Sequence, residues 1–443
     1  MHTSLFTWRT LLLSSTAFML FACSGKNAPV QVKHTLTTST HTNLNTHAHL
    51  PAVVQGTTVR NGTAHYRAVS FQELPSWHNQ PFSGSLNVFR NSCIKLGRQA
   101  SWQNVCTRAA QTANNDQAAK LFFEHNFTPW QVSQNGQRSG TITGYYEPIL
   151  KGDVRPSQQA RYPIYGIPYD LVSLSLPTSL HQSNSTIRVQ PISNHEARVQ
   201  SNGAYTANLS LFPTHNHTAI KGRFVGNQFV PYFTRAEINN GALDNRAPII
   251  AYAENPIELL FLQIQGSGRL KTPSGEYIRL GFAGHNHYPY ASVGKYMIQK
   301  NYLPASQASM QGIKNWLANN PHRLGEVLAQ NPRYIFFRVL SGSPEQGPIG
   351  ALDVPLTGGF SAAVDKQYIT LGAPIFVATT HPDTQQSLNR LMLAQDTGSA
   401  IRGAVRVDYF WGYGDAAGST AGKQKYPGYV WQLLPNGMTP IQK

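Results

Sequence analysis

Acidic side chains are scarce in this sequence: its 443 residues carry 20 Asp and Glu against 36 Lys and Arg, a formal charge of +16. Such a surface points to an acidic partner such as nucleic acid, anionic lipid or an acidic polysaccharide, and charge alone does not choose among them. Cysteine is nearly absent, with three residues, which excludes a disulfide-dense scaffold. No second Cys/His pair stands at the spacing a zinc site needs. A sustained heptad pattern and internal repeats are also missing, which argues against a coiled coil or a repeat array. The chain has no GxSxG, no HExxH and no P-loop Gly-Lys-Ser, so the common serine-nucleophile, zinc-peptidase and nucleotide-cleaving signatures are absent.

What is present reads as a mostly β protein. The runs YIRLGFAG, YIFFRVL and APIFVATT are short, apolar and β-branched or aromatic, and they lie between turn signals in a chain rich in Gly and Pro. The length allows two or three domains with substantial cores. At the N-terminus an apolar core from Leu11 to Phe21 stops at Cys23, too short for a permanent membrane span. Leu20 to Cys23 resembles the box cut by the lipoprotein signal peptidase, so residues 1–22 read as a signal peptide and Cys23 as the lipidated residue; an ordinary secretory signal is the alternative. Either way the protein is exported, which argues against nucleic acid as the partner. Ser24 in place of an acidic residue favours the outer membrane. Residues 23–63, rich in Thr, Asn and His, read as a disordered tether. Cys93 and Cys106 then sit in an oxidising compartment, where a structural disulfide is favoured over free thiols.

Helical periodicity is expected in SLNVFRNSCIKLG, AAKLFFEHNFTPWQV, ASVGKYMIQKNYL and ASMQGIKNWLANN, and SGTITGYYEP reads as a strand entering a turn at Gly144. The Gly-Ser-Gly of IQGSGR lacks a following helix, so a phosphate cradle is not indicated. His285 and His287 would share a face of a strand, yet no third ligand is evident and no metal is expected. Carboxylates remain. In VDYFWGYG, Val405, Val407, Tyr409 and Trp411 alternate as on a strand, which turns Arg406, Asp408 and Phe410 to the other side. A carboxylate among aromatics loses hydration, its pKa rises, and it can stay protonated and act as an acid.

Six ordered blocks extend this reading: TGYYEP, FLQIQGSGR, GFAGHNHYPY, NPRYIFFR, VPLTGGFSAAVD and AQDTGSAIRGAVRVDYFWG. Together they resemble the membrane-bound lytic murein transglycosylase A family, over nearly all of the exported chain. The resemblance implies a double-psi β-barrel catalytic domain built from residues 64–148 and 333–443, with a second β-rich domain, 149–332, inserted and a glycan groove between the two. It implies cleavage of the β-1,4 bond between N-acetylmuramic acid and N-acetylglucosamine, by exo action, giving 1,6-anhydromuramic acid ends without a cofactor. Asp408 would be the catalytic acid and then base, with Asp396 and Thr143 supporting it. Tyr145, Tyr146, Phe337 and Trp411 would stack on sugars, and Gln265, Gly266 and Ser267 would hydrogen-bond them. The implied partners are peptidoglycan glycan strands, the membrane through the lipid anchor, and proteins of wall synthesis or division. A hydrolase using water and a wall-binding module without turnover are the alternatives.

Overall fold

A computed structural model describes residues 53–213 and 218–440. The expected signal segment, Cys23 and the tether as far as residue 52 lie outside the described residues. Order starts earlier than the expected residue 64: Thr58–Asn61 and Ala64–Ala68 form an antiparallel hairpin. Val59 is buried, and the Asn61 side chain donates to the carbonyl of Gln367 at 3.0 Å.

Six strands make the main barrel: β1 (Ser139–Glu147), β2 (Ser361–Val364), β3 (Pro374–Thr380), β4 (Ser387–Asp396), β5 (Arg406–Tyr413) and β6 (Lys425–Pro435). They pair in the order β1-β6-β3-β4-β2-β5, and β5 returns to β1 to close the ring. The β5–β1 and β2–β4 pairs are parallel and the other four antiparallel. This is the double-psi β-barrel implied by the sequence blocks. Its interior follows from period-two patterning: Ile142, Val407, Tyr409, Phe376 and Leu391 point into one continuous core. β1 runs through Gly144 without the expected turn, because both its edges are paired.

Helices Phe82–Leu96, Ala100–Gln111 and Asp116–Asn126 pack on this core through Phe89, Trp102, Phe122 and Phe123. A disulfide between Cys93 and Cys106 joins the first two. The helical pattern expected through FTPWQV ends sooner, since Phe127–Gln134 is a strand between Ala64–Ala68 and β6. Backbone pairing on both sides outweighs the local apolar spacing there.

Between β1 and β2 the chain builds two further β bodies. One is a small closed barrel of six strands between Val172 and Pro231, filled by Leu174, Val189, Phe212 and Phe229. The other is a six-stranded sheet in the order Ile335–Val339, Tyr277–His285, Gly268–Lys271, Ile149–Asp153, Ile249–Ala253, Tyr162–Tyr165. Ile335–Val339 therefore stays in the inserted region, paired to Tyr277–His285, and the chain rejoins the main barrel at Ser361 rather than at 333.

A buried ion pair fastens these parts near the site. Arg269 Nε donates to Glu147 Oε2 at 2.8 Å, and its other nitrogens donate to the carbonyls of Pro344 and Gln346. The guanidinium also lies 3.8 Å from the centroid of Tyr413. One side chain thus holds the ends of β1 and β5, the inserted sheet and the 341–347 loop. Such a pair adds little net stability, but losing one partner strands a buried charge.

Candidate functional site

Strand register assembles the carboxylates. Asp396, Ala363, Asp408, Thr143 and Lys425 are successive partners across β4, β2, β5, β1 and β6. Direct partners project to one face, so Asp396 and Asp408 share a face, separated by the small methyl of Ala363 and by two strand spacings, about 10 Å. Arg406, two residues before Asp408, lies on that face as well.

The hydrogen bonds around Asp408 have a fixed direction. Arg406 Nη2 donates to Thr143 Oγ1 at 2.8 Å, and arginine can only donate. The Thr143 hydroxyl therefore directs its proton to Asp408 Oδ1, at 2.5 Å. Among the described residues nothing donates to Asp408 Oδ2, which leaves one carboxyl oxygen for a reacting group. Burial raises the pKa of Asp408 above the usual carboxylate range, against the opposing pull of the Thr143 hydroxyl and the Arg406 charge.

Asp396 is held differently. Its Oδ1 accepts from the Ala351 amide at 2.9 Å, and its Oδ2 accepts from the Tyr145 hydroxyl at 3.0 Å. Tyr145 stands two residues beyond Thr143 on β1 and bonds to Asp396 on β4, with β5 and β2 between them in the sheet order and its ring 5.0 Å from Phe410. Burial pushes Asp396 up to about 6, opposed by the Thr397 and Ala351 amides and the Tyr145 hydroxyl, and aided by the Asp408 charge. Burial, reinforced by both aspartates, raises the Tyr145 phenol well above its ordinary value, so it remains a donor.

The family comparisons now fit onto this geometry. Residues 141–338 match the MltA specific insert domain and residues 360–434 the 3D domain. The membrane-bound lytic murein transglycosylase A of Escherichia coli K12 is 34% identical over 362 residues, which is 80% of this chain and 81% of that protein. The chain belongs to the membrane-bound lytic murein transglycosylase A family. The family protein of Vibrio cholerae is 33% identical over 46% of this chain, and that match spans 57% of the relative's length. The crystal structure of MltA from Neisseria gonorrhoeae is 55% identical, covers 89% of this chain and 98% of its own, and superposes with a TM-score of 0.81. An E. coli MltA structure with bound chitohexaose is 25% identical over 87% of this chain and 96% of its own, with a TM-score of 0.56.

The other sequence-derived site residues fall into separate groups. Tyr146 and Gln265 meet where the Tyr146 amide donates to Gln265 Oε1 at 3.2 Å, and both line a cavity of 190 Å³ with Gly144 and Tyr290. The Tyr146 ring is largely buried and its hydroxyl lies 3.0 Å from Met310 Sδ, so it is not an open stacking surface. Gly266 ends the helix Pro256–Gln265 in a left-handed conformation, φ 81°, and Ser267 leads into the strand Gly268–Lys271. The helix at IQGSGR thus precedes the glycine instead of following it. Trp411 packs 4.5 Å from Tyr409 and with Phe410 and Tyr413 lines a cavity of 530 Å³, just beyond Asp408 on β5. Phe337 corrects an expectation: it is 1% exposed, in the core of the inserted sheet beside Leu150 and Leu262, and offers no face to a sugar. No group of three or more His, Cys, Asp or Glu able to hold a metal occurs among the described residues.

Arg406 and the Ala351 amide were absent from the sequence-derived site. Alternation along β5 already placed Arg406 on the face of Asp408, and that was the available signal. The Ala351 amide reaches Asp396 from a loop 45 residues away, which no local pattern announces.

Proposed function

We propose that this protein is a lytic transglycosylase that cleaves the β-1,4 bond between N-acetylmuramic acid and N-acetylglucosamine in peptidoglycan, with Asp408 serving as acid and then base. The observation that carries the proposal is the contrast between the two carboxylates. Asp408 is desolvated, oriented through one oxygen by Thr143, and among the described residues unengaged at the other, whereas both oxygens of Asp396 are occupied.

In the first step protonated Asp408 gives its proton to the glycosidic oxygen as the C1–O bond breaks. The muramic C6 hydroxyl then bonds to C1 and returns a proton to the Asp408 carboxylate, so no water is consumed. A hydroxyl in the same sugar has a high effective concentration, which removes the need for a second carboxylate to activate water. Asp396 acts electrostatically: held by N–H and O–H donors, it favours positive charge developing at C1. The hydrolase alternative would ask Asp396 to activate water, and its oxygens are already committed. A wall-binding module gives no role to the Arg406–Thr143–Asp408 relay. The chitohexaose bound by the E. coli relative supports a glycan as the ligand.

The inserted region, which runs from 149 and includes the strand Ile335–Val339, is proposed as the substrate-groove domain, and exo action follows the family resemblance. Cys23 is proposed as a lipid anchor to the outer membrane on its periplasmic face, with proteins of wall synthesis or division as neighbours. No helix among the described residues is long and apolar enough to cross a membrane. Cys23→Ser in the full precursor should release the protein from the membrane fraction; unchanged anchoring would overturn that assignment.

Product analysis tests the reaction. Each cut should leave an end about 20 mass units lighter than a borohydride-reduced hydrolytic end, with no oxygen-18 taken from labelled water. Labelled, reducible ends would establish a hydrolase, and no new ends a binding module.

A further inference from the structure

Lys221 and Arg223, two residues apart on one strand, are half-buried cations with no anionic partner among the described residues; Arg223 lies 4.0 Å from the centroid of the Phe233 ring, whereas Lys221 has no such contact. Lys314 pairs with Glu258 at 2.8 Å, Arg269 with Glu147, and Arg235 donates to the carbonyls of Asn331 and Arg333. Lys221, on the strand Ala219–Val225 of the small barrel, has neither an ion pair nor a hydrogen bond among the described residues. Burial lowers its pKa, and the charge that adds to this among the described residues is another cation, Arg333. A desolvated ammonium beside a guanidinium is unfavourable unless an anion joins them.

The surrounding backbone is shaped to hold these groups together. The pairing of Tyr277–His285 with Ile335–Val339 slips between Phe282 and Gly284, a bulge of the kind that re-aims side chains. A Cβ at Gly284 would stand 2.6 Å from Ile167 Cδ1, so glycine there lets Ile167 pack, and it would lie 3.9 Å from Lys221 Nζ, which places the ammonium against the bulge. Past the bulge, His287 takes a left-handed conformation, φ 71°, which is costly for a residue with a Cβ. Buried Asn286 fixes this turn: its side chain donates to the carbonyls of Phe233 and Pro332 and accepts from the Tyr334 amide. Strain locked in this way gathers at ligand sites. The His287 amide donates to His285 Nδ1 at 2.9 Å, which puts the proton of neutral His285 on Nε2. The two rings stack at 5.5 Å, and burial with Arg333, Lys221 and His287 pushes His285 down to about 2. Arg333 spends Nη1 on the Tyr288 carbonyl at 3.1 Å and keeps its remaining N–H groups. The nearby carboxylate of Glu237 is engaged by the Thr234 amide and hydroxyl.

We propose that Lys221 and Arg333, with His285 and His287 beside them, form a binding site for a carboxylate carried by the peptide stems of the wall polymer. The proposal rests on the peptidoglycan reading above. A planar guanidinium beside an ammonium suits a planar carboxylate, and half-buried cations are recessed from any flat bilayer surface. The site would let the inserted region recognise peptide-bearing glycan while the main barrel supplies the cutting group.

Titration calorimetry of the full chain with N-acetylmuramoyl-L-alanyl-D-glutamate and with its diamide tests this. The acid should bind, the diamide should bind at least about tenfold more weakly, and Lys221→Gln should cost the acid a similar factor. Lys221→Arg should restore binding, and chitohexaose binding should be the same in wild type and both variants. The melting temperature of Lys221→Gln should be equal to or above wild type, because an isolated buried charge has been removed. Equal affinity of wild type and Lys221→Gln for the acid would overturn the proposal. So would capture of phosphatidylglycerol vesicles through Lys221 with no binding of the acid. Failure to form anhydro ends from peptide-free glycan would sink the proposed reaction and leave the titration result standing on its own.

Discussion

Two aspartates on one sheet face are assigned different work by the atoms that touch them. Asp408→Asn keeps the size of the side chain and the Thr143 contact but cannot shuttle a proton, so anhydro product should vanish while chitohexaose still binds. An active Asp408→Asn protein would remove Asp408 from the reaction. Asp396→Asn should slow turnover without abolishing it, because it deletes a charge and not the proton carrier. The same change should alter stability in a pH-dependent way. Asp396 rises from an ordinary 3.8 to about 6 in the folded protein, so its protonated form is the one folding favours. That contribution is fully present below about pH 4 and is lost as pH climbs through about 6. Asn does not titrate, so denaturant unfolding should show Asp396→Asn gaining on wild type between pH 4 and 7; a constant difference across that range would contradict the assignment.

At the scale of strands, period-two alternation made β5 legible, since Val407 and Tyr409 bury and Arg406 and Asp408 share the other face by local geometry alone. The strand Phe127–Gln134 was not legible, because its identity comes from partners at Ala64–Ala68 and β6, far away in sequence. Phe337 shows the same limit on the site: an aromatic side chain reads alike whether it faces a sugar or a core, and only its sheet partners put it inside. The six blocks carried the barrel and the Asp408–Thr143 pairing, while the Ala351 amide and the Lys221 cluster needed three-dimensional contacts. The close approach of β1 to β5 gives a direct test. A Cβ at Gly140 would lie 1.8 Å from the carbonyl oxygen of Val405, a backbone atom that cannot swing away. Gly140→Ala should push these strands apart, cost about 1–3 kcal/mol in chemical denaturation, and lower kcat more than it raises KM. Unchanged stability would mean that the strands have slack there.

Across the whole molecule, stability and chemistry are separable. The Cys93–Cys106 bridge joins two helices that pack on the barrel core, and neither cysteine is hydrogen-bonded to the carboxylate row. Replacing both cysteines with serine should lower stability by about 3 kcal/mol on the chain-entropy model and leave kcat on isolated sacculi unchanged. A large kcat loss in a folded protein would tie those helices to the reaction. The closed ring has a different consequence, which concerns timing. Thr143 and Asp408 are 265 residues apart, and β1 sits between β5 and β6, the last two strands of the barrel to be synthesised. Loop closure on that scale is slow, and its entropy is lost before the contacts that repay it have formed. A chain that has emerged only as far as residue 400 carries Thr143 without its carboxylate, and one that stops before β6 leaves β1 with an unpaired edge. On the proposed reaction a growing chain therefore has no cutting group to misuse: Asp408 meets Thr143 only when the final strands arrive.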